Sequence, residues 1–585
     1  MNASISSSDN GKVSEVVVRM YTHGLGDCFL LTFPTNVAEQ PYYYVLIDCG
    51  VILGTEGAEG KMQRVAEDIQ KVTGGEIHLL VITHQHWDHL SGFAQAKDIF
   101  ENMNIHNLWL AWTEDPTDSL ANQLSQEFKK DLRALHLALQ RASQLEKDVA
   151  ELKKDVADRK LKLSSVPTMN VIDQLKPVEY LAGFFGDPER VMAGARADVG
   201  LAFKSDTETA LETVRELVKK NGSEPQYLCP GDGPRDFPSS NKELTTAAQV
   251  YVLGPPHNEA QLKKINPTAE GKEVYTGTKA LTPRRAFLAA LLDDEDDKAA
   301  WSVDEREILP LSFPFDRRLR IPCEEAKNDA PFAADFSQYD AFMQYYDNAT
   351  AWRRIDGEWL ATTEALALQM DSYTNNTSLV LAIELKQSHK VLMFVADAQV
   401  GNWLSWDDLS WSPKNTPGVT VTAADLLSRT VLYKVGHHGS HNATIRARGD
   451  DKKGLELMTH PELAAMVPVD EEVAHDIKHW LSMPFPPLLD RLNTKTRGRV
   501  IRADTPVPKS APPGADVNKW TDFRGRIKED NEVALNVDTF AEFLPREGGV
   551  PKNVPQDFKG SADDWNKFRD SVKKRLYVQY TVRDE

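Results

Sequence analysis

THQHWDHLSGF, at residues 83–93, follows a mostly apolar run at residues 77–82 that predicts a buried strand. The stretch contains four residues of metal-binding type within a span of six positions: His84, His86, Asp88 and His89. In an extended chain the first three share one side, and the fourth turns toward them where a helix is predicted over residues 90–99. A single histidine at a strand end usually belongs to the core, but this spacing favours a metal site. Two imidazoles suit zinc or manganese, and a carboxylate beside a further histidine can hold a second ion.

Composition limits what the 585-residue chain does. A formal net charge of −19 argues against a protein whose main task is to coat nucleic acid. It does not exclude a nuclease, because bound metal ions supply positive charge where the substrate binds. The four cysteines lie far apart in the sequence, which indicates reduced thiols and a cytoplasmic location. We expect neither a signal peptide nor a membrane span, because no apolar segment of the required kind is present.

Further polar residues end predicted strands elsewhere in the chain. Asp27 ends the glycine turn GLGD, and Asp48 follows the predicted strand at residues 42–47. Asp397 ends the second strand of a predicted hairpin, and GHHGS at residues 436–440 follows another apolar strand. Side chains at strand ends can face a common site. The aspartates alone would be interpreted as turn caps, but two histidines between glycines are hard to explain by core packing.

Together these motifs resemble the metallo-β-lactamase superfamily. The GHHGS element is similar to its ComEC-type branch, which includes the soluble hydrolase domain of the DNA-uptake competence protein. The resemblance covers residues 16–100, 227–256, 375–398 and 427–504. It implies an α/β fold, the metallo-β-lactamase four-layer αβ/βα sandwich with helical insertions. Competence proteins are polytopic membrane channels, whereas no membrane span is predicted here.

The resemblance also implies a site for two divalent metal ions, Zn²⁺ or Mn²⁺. Its implied ligands are His84, His86, Asp88, His89, Asp397 and His437. The first two would hold one ion, and Asp88, His89 and His437 the other, while Asp397 and a bridging hydroxide would join them. The residues implied to act on substrate are Asp88, Asn375 and His438. Those implied to support the ligands from behind are Asp27, Asp48, Asn376 and Ser440.

Two features of the implied site remain open in the sequence. The order within the histidine pair is not decided; His437 is favoured as the ligand because it directly follows the glycine that ends the strand, and His438 then faces the substrate. Many relatives in the superfamily place a third histidine where this chain has Asn375 and Asn376. An amide oxygen is a weaker ligand than an imidazole, so one site is expected to bind its ion more loosely and to tolerate manganese.

Large insertions are predicted to interrupt the core. The predicted segments are 13–113 (core, first half), 114–226 (helical, coiled-coil-like insertion), 227–257 (core resumes), 258–370 (second insertion, a candidate lid), 371–505 (core, second half) and 517–585 (C-terminal extension). Apolar residues recur at steps of three and four over residues 118–161, which predicts a coiled-coil seam or a helical hairpin. That segment is therefore either packed on its own domain or a surface for self-association or a protein partner.

A metal-dependent hydrolase is the leading functional prediction. A phosphodiester substrate, nucleic acid or a nucleotide, is favoured by the closest motif resemblance, by the asparagines that replace the third histidine, and by a basic segment at residues 491–502 that is suited to an anionic substrate. One alternative is an ester, lactone or thioester hydrolase, because a fold does not fix a substrate. The other is an interaction module that acts through the helical insertion.

Overall fold

Two compact units make up the chain, and the computed structural model describes residues 14–132, 135, 181–186, 205–264, 358–413, 418–446, 453–478, 480–530 and 575–585. The first unit comprises Met1–Ser125, Asp206–Thr278 and Ser372–Glu585, and it contains every predicted site residue. The second comprises Gln126–Ser205 and Lys279–Asp371. In the second unit the rings of Phe128 and Phe185 pack edge to face, with centroids 5.1 Å apart.

Strands and helices are interspersed along the described residues. The strands are β1 (Ser14–Tyr21), β2 (Cys28–Pro34), β3 (Tyr42–Cys49), β4 (Glu76–Ile77), β5 (Leu79–Val81), β6 (Asn104–Ile105), β7 (Leu108–Ala111), β8 (Gln226–Leu228), β9 (Ala248–Gly254), β10 (Val380–Leu385), β11 (Val391–Phe394), β12 (Ser410–Trp411), β13 (Val421–Thr422), β14 (Thr430–Lys434), β15 (Ala464–Val467), β16 (Val500–Arg502), β17 (Ile527–Glu529) and β18 (Tyr577–Asp584). The helices are α1 (Ala58–Thr73), α2 (Trp87–Gln95), α3 (Lys97–Phe100), α4 (Asp206–Lys220), α5 (Glu259–Leu262), α6 (Glu358–Asn376), α7 (Val400–Leu404), α8 (Ala423–Ser428), α9 (Pro486–Thr496) and α10 (Val517–Gly525).

Two large sheets form the centre of the first unit. Within the described residues, one sheet has eight strands in the order β17-β18-β1-β2-β3-β5-β7-β8, and the other has six in the order β16-β15-β14-β11-β10-β9. Strands β3, β5, β7 and β8 are parallel to one another, as are β11, β14, β15 and β16. The strand β18, from the predicted C-terminal extension, pairs antiparallel with β1 over its whole length and so belongs to the first sheet.

Alternation along the strands explains how the two sheets pack. Phe29 and Leu31 of β2 belong to one buried cluster together with residues of β9, β10, β11 and β14, and the ring of Phe29 meets that of Phe394 at 5.6 Å. Leu30, between them, points to the opposite face and packs in a second cluster with residues of α1, α2 and α4. Helices α8 and α9 contact strands of the second sheet. Two sheets between helices confirm the predicted α/β sandwich.

The same topology brings the chemistry to one edge. In a parallel array the carboxyl ends of neighbouring strands share an edge, and polar loops emerge there. Asp48 is the penultimate residue of β3, and the histidine-rich stretch follows β5. In the second sheet, Asp397 follows β11 and GHHGS follows β14. The loop between β1 and β2 adds Asp27 to this edge, where its backbone N–H donates to the carbonyl oxygen of Asp88 at 3.0 Å.

Several predicted segments take different places in the structure. Helix α4, which the sequence assigned to the first insertion, packs through Ala210 and Leu211 on the core of the first unit. Asn375 and Asn376 were expected to open a strand, but they end helix α6, and the strand begins at Val380. Residues 119–132 are helical, as predicted, whereas most of the rest of the proposed partner segment, most of the second insertion and its acidic run lie outside the described residues. Among the described residues, no helix has both the length and the apolarity needed to cross a membrane.

Candidate metal centre

The first pair of histidines forms a compact donor set. His84 Nε2 and His86 Nδ1 lie 3.0 Å apart, and both side chains are buried. Burial lowers the pKa of His86 to about 3, and burial together with the neighbouring His89 and His86 lowers the pKa of His84 well below its ordinary value. Both rings are therefore neutral at physiological pH, the form in which an imidazole binds a metal ion.

Asp48 fixes the third histidine of the motif. One carboxylate oxygen of Asp48 accepts from the backbone N–H of Thr83 at 2.8 Å, and the other accepts from the Thr83 hydroxyl at 2.7 Å and lies 2.8 Å from His89 Nδ1. A carboxylate at Nδ1 requires the ring proton there, because an ionised carboxylate only accepts hydrogen bonds. His89 Nε2 is thereby directed at Asp397 Oδ2, 3.2 Å away. Pairing of a histidine with a carboxylate behind it is common at metal sites.

His438 supplies the fourth imidazole. Its Nδ1 lies 2.7 Å from the carbonyl oxygen of Pro468, which can only accept, so Nδ1 carries the proton. Its Nε2 lies 2.9 Å from Asp88 Oδ2 and 3.8 Å from Asp397 Oδ2. The imidazole ring of His438 therefore lies beside Asp88 and Asp397, in the same group of side chains as His89.

His437 makes a different set of contacts from that of His438. Its Nδ1 lies 3.0 Å from the hydroxyl of Ser440 and 3.5 Å from Gln399 Nε2, and its backbone N–H donates to Asp397 Oδ1 at 3.1 Å. Ser440 and Gln399 thus contact Nδ1 of His437, and the ring centroid of His437 lies 5.9 Å from that of His438. Both histidines of the pair have left-handed backbones, with φ of 43° and 52°. Non-glycine residues seldom adopt this conformation, and it tends to occur at functional sites.

A lysine that the sequence analysis did not single out completes the cluster. Lys434, the last residue of β14, is 2% exposed. Its ammonium donates to Asp27 Oδ2, to the carbonyl oxygen of Ala396 at 2.9 Å and to Asp397 Oδ1 at 3.3 Å. Lys434 therefore bridges the carboxylates of Asp27 and Asp397. The available signal was a cationic residue inside an apolar strand, TVLYKV, immediately before GHHGS.

Charge in the second half of the cluster is closely balanced. Burial alone would lower the pKa of both His89 and His438, but the carboxylates around them, with Asp397 the strongest, raise the pKa of His89 well above and that of His438 above the ordinary value. Burial opposes ionisation of Asp397, yet His89 and Lys434 hold the pKa of this carboxyl well below its usual range. The carboxylates that raise the pKa of these two histidines are the groups whose charge a bound divalent cation would offset instead.

The donor set fits a metal centre. Ligand atoms of Asp27, His89, Asp397 and His438 all lie within 4.8 Å of one another. Among the described residues, the completely buried Asp88 Oδ1 has no hydrogen-bond partner, which is costly for a carboxylate unless a cation completes it. Asp27 belongs to this group by distance, and its buried Oδ1 is likewise without a hydrogen-bond partner among the described residues, while its Oδ2 is paired with Lys434. Imidazole nitrogens with carboxylate oxygens are the donors that zinc and manganese accept.

The two asparagines have different surroundings. The Asn376 amide group donates to the carbonyl oxygens of Leu262 and Lys264, each at 3.0 Å, and its Oδ1 accepts from the backbone N–H groups of Gln399 and Asn402, each at 3.2 Å. Asn376 thus fixes the turn that follows Asp397. Asn375 is completely buried at the end of α6.

The basic segment at residues 491–502 is largely neutralised within the fold. Arg491 pairs with Glu456 through Nε at 2.6 Å, and Lys495 donates to the carbonyl oxygen of Glu456. Arg502 pairs with Glu471 and Asp504 at 2.8 and 2.6 Å. Arg499, 5% exposed, donates to backbone carbonyls. These guanidinium groups hold loops together, so the segment gives little support to electrostatic steering of a substrate.

Residues 38–109 match the family model of the metallo-beta-lactamase superfamily. The match supports that superfamily for this chain. It includes the strand β3, β5 and the whole histidine-rich stretch, and it ends within β7. Together with the buried cluster it supports a metal-dependent hydrolase that uses divalent metal ions. A search of curated proteins found no match.

Gly50, two residues after Asp48, packs closely against the histidine-rich loop, and this contact can be tested by substitution. A Cβ at Gly50 would lie 2.5 Å from both the carbonyl carbon of Asp88 and the backbone nitrogen of His89. We expect Gly50→Ala to displace this loop, to lower the free energy of unfolding by about 1–3 kcal/mol and to weaken metal binding. Urea unfolding and metal titration measure the two effects.

The matched control for Gly50→Ala is Gly60→Ala. Gly60 lies in helix α1 with no atom within 4 Å of the added methyl group. Alanine there should raise the free energy of unfolding by up to about 1 kcal/mol and leave metal binding unchanged. Equal effects of the two substitutions would contradict a tight contact between Gly50 and the metal-binding loop.

Proposed function

We propose that this protein is a dinuclear metal-dependent phosphodiesterase of the ComEC-type branch, acting on nucleic acid or a nucleotide. The observation that carries the proposal is that two sets of metal-binding side chains lie side by side, buried, where loops of the two sheets meet. The neutral pair His84 and His86 adjoins the carboxylate-bound pair His89 and His438, and the ring centroids of His84 and His89 are 4.2 Å apart. Asp397 Oδ2 faces both histidines of the second pair.

The geometry supports one assignment of ligands. His84 Nε2 and His86 Nδ1 would hold the first ion, and Asp88 with the Nε2 atoms of His89 and His438 would hold the second. Asp397 would be shared between them. We therefore exchange the roles of the histidine pair: His438 is proposed as the ligand and His437 as the residue near substrate.

When bound, two divalent ions lower the pKa of a water molecule toward neutrality and offset negative charge that develops on a phosphoryl oxygen. The chain's own residues prepare the site for this chemistry. Asp48 keeps the proton of His89 on Nδ1, and Pro468 does the same for His438, so that both Nε2 atoms point into the cluster. Ser440 holds His437 at Nδ1, which leaves Nε2 of that ring for a hydrogen bond to substrate.

Support for a phosphodiester comes from the sequence motifs. GHHGS resembles the ComEC-type element, and Asn375 with Asn376 stands where many superfamily hydrolases have a histidine ligand. Asn376 is engaged with backbone groups, so of the two only Asn375 is proposed to lie beside substrate. Ester and thioester hydrolysis would use the same ligands, and the substrate class is therefore the quantity to measure.

The test compares three chromogenic substrates on protein that has been stripped of metal and supplied with Mn²⁺ or Zn²⁺. They are bis(p-nitrophenyl) phosphate, p-nitrophenyl acetate and an aryl thioester, and Asp88→Asn serves as the inactive control. We expect metal-dependent turnover of the phosphodiester that the substitution abolishes. Turnover of the ester or thioester alone would overturn the phosphodiester proposal. No turnover of any substrate by protein that retains two bound ions would overturn the hydrolase proposal itself.

A further inference from the structure

Lys434 contacts two carboxylates of the cluster. One is Asp397, from a loop of the second sheet, and the other is Asp27, from a loop of the first sheet. An ammonium group has three donors, and the structure gives Lys434 three acceptors: Asp27 Oδ2, the carbonyl oxygen of Ala396 and Asp397 Oδ1. Its side chain is 2% exposed, so water contributes little to solvating this charge. Burial would lower the pKa of Lys434, but Asp27 and Asp397 raise it, so the group stays charged.

The two carboxylate oxygens of Asp397 have different partners. Oδ1 accepts from Lys434 and, at 3.1 Å, from the backbone N–H of His437. Oδ2 lies 3.2 Å from His89 Nε2 and 3.8 Å from His438 Nε2. A carboxylate that lacks such restraints can rotate and bind one cation through both oxygens. Here the donors on Oδ1 leave Oδ2 as the oxygen that faces the ligand histidines.

The backbone before Asp397 is restrained by the same lysine. Ala396 has a left-handed backbone, with φ of 48°, which is unfavourable for a residue with a Cβ. Its carbonyl oxygen accepts from Lys434 at 2.9 Å and from the His437 N–H at 3.2 Å. Lys434 thus holds both the side chain of Asp397 and the peptide that precedes it.

We propose that Lys434 is a positioning residue of the metal centre, which ties Asp397 through one oxygen so that the other is presented to the metal ions. The proposal rests on the proposed function, because it requires metal ions at the cluster. It differs from a purely structural role in one respect: removal of Lys434 should change metal affinity in the folded protein, and not only stability. Residues that orient a ligand typically contribute about 10- to 100-fold to metal affinity.

The experiment is a cycle of three variants in the full-length protein: Lys434→Met, Asp27→Asn and the two together. Methionine has a similar length without charge, and the double variant removes one positive and one negative group, so no unpaired buried charge is created between them. The dissociation constants for Mn²⁺ are measured by electron paramagnetic resonance on the folded fraction. Lys434→Arg is a fourth variant that retains the charge but changes the donor geometry.

We expect the weaker of the two Mn²⁺ ions to bind about 10- to 100-fold less tightly in every variant that lacks Lys434, and Asp27→Asn alone to have a smaller effect. The matched control is the double variant Arg575→Met with Glu529→Gln, which removes a buried ion pair of the C-terminal strand region. Its melting temperature should fall while both Mn²⁺ affinities stay native.

Several results would overturn the proposal. Native Mn²⁺ affinity in the folded Lys434→Met and double variants, with a lower melting temperature, would show that the lysine is only structural. A loss in Asp27→Asn as large as in the double variant would assign the effect to Asp27. Absence of metal binding by the native protein would overturn both this inference and the proposed function. Native binding of two ions without hydrolysis would overturn the function alone, and the inference would still be decided by the ratio of dissociation constants.

Discussion

Replacing Asp397 by asparagine is expected to lower the turnover of the metal-loaded protein by about a thousandfold. Asp397 contacts two of the candidate ligand histidines and the buried lysine: Oδ2 faces His89 and His438, and Oδ1 accepts from Lys434. An amide is uncharged and offers one oxygen instead of two. Whichever way it turns, either the lysine or the metal ions face an NH₂ group, which is a donor.

Turnover of the best substrate and metal content by mass spectrometry measure the effect of Asp397→Asn. We expect the number of bound ions to fall below two. Asp407→Asn is the control, because Asp407 is half exposed and pairs with Lys453 on the surface of the part of the fold that the structure describes. Its turnover should equal that of the native protein. Native turnover and two bound ions in Asp397→Asn would contradict the shared role of Asp397.

The second large effect separates the neighbouring histidines. We expect His438→Ala to lose one of two bound ions and to reduce turnover by about 100- to 1000-fold, because its Nε2 lies 2.9 Å from Asp88 and faces Asp397. His437→Ala should retain both ions, because Nδ1 of His437 contacts Ser440 and Gln399, and the compact donor group found among the described residues includes His438 but not His437. A moderate fall in turnover with an unchanged metal content would fit a role near substrate.

Each of these two variants is the control for the other. They remove the same side chain at adjacent positions, and both positions have left-handed backbones, so the backbone effect of alanine is similar. Metal content and turnover are measured on the same samples. Loss of an ion from His437→Ala with full occupancy in His438→Ala would restore the ligand order that the sequence favoured.

The sequence predicted the α/β sandwich and the elements that meet at its edge. Strand-length apolar runs that end in aspartate, histidine or glycine are recognisable because buried strands need apolar residues on both faces, and polar residues usually follow where the strand leaves the sheet. The stretch at residues 83–93 shows this directly. Its strand, β5, is buried, and the ligands begin after it.

Other assignments depended on contacts between distant residues. The basic segment at residues 491–502 was predicted to suit an anionic substrate, but Glu456, Glu471 and Asp504 neutralise much of it. Helix α4 carries the amphipathic pattern of any surface helix, and only the fold shows that it covers the first sheet. Likewise, Asn375 and Asn376 precede a strand closely in sequence and were predicted to open it, whereas in the structure they are the last two residues of helix α6.

The sequence by itself determined which residue types stand at the site, since the spacing within THQHWDH and GHHGS is fixed by covalent connection. Tertiary structure decided which of the rings and carboxylates meet. The proposed exchange of roles between His437 and His438 rests on the different contacts of two consecutive left-handed residues, a backbone turn that the residue types do not specify. The role of Lys434 follows from Asp27 and Asp397, which come from loops of different sheets. Their charges become coupled because the fold removes them from water, and at short range in a buried environment such coupling is strong.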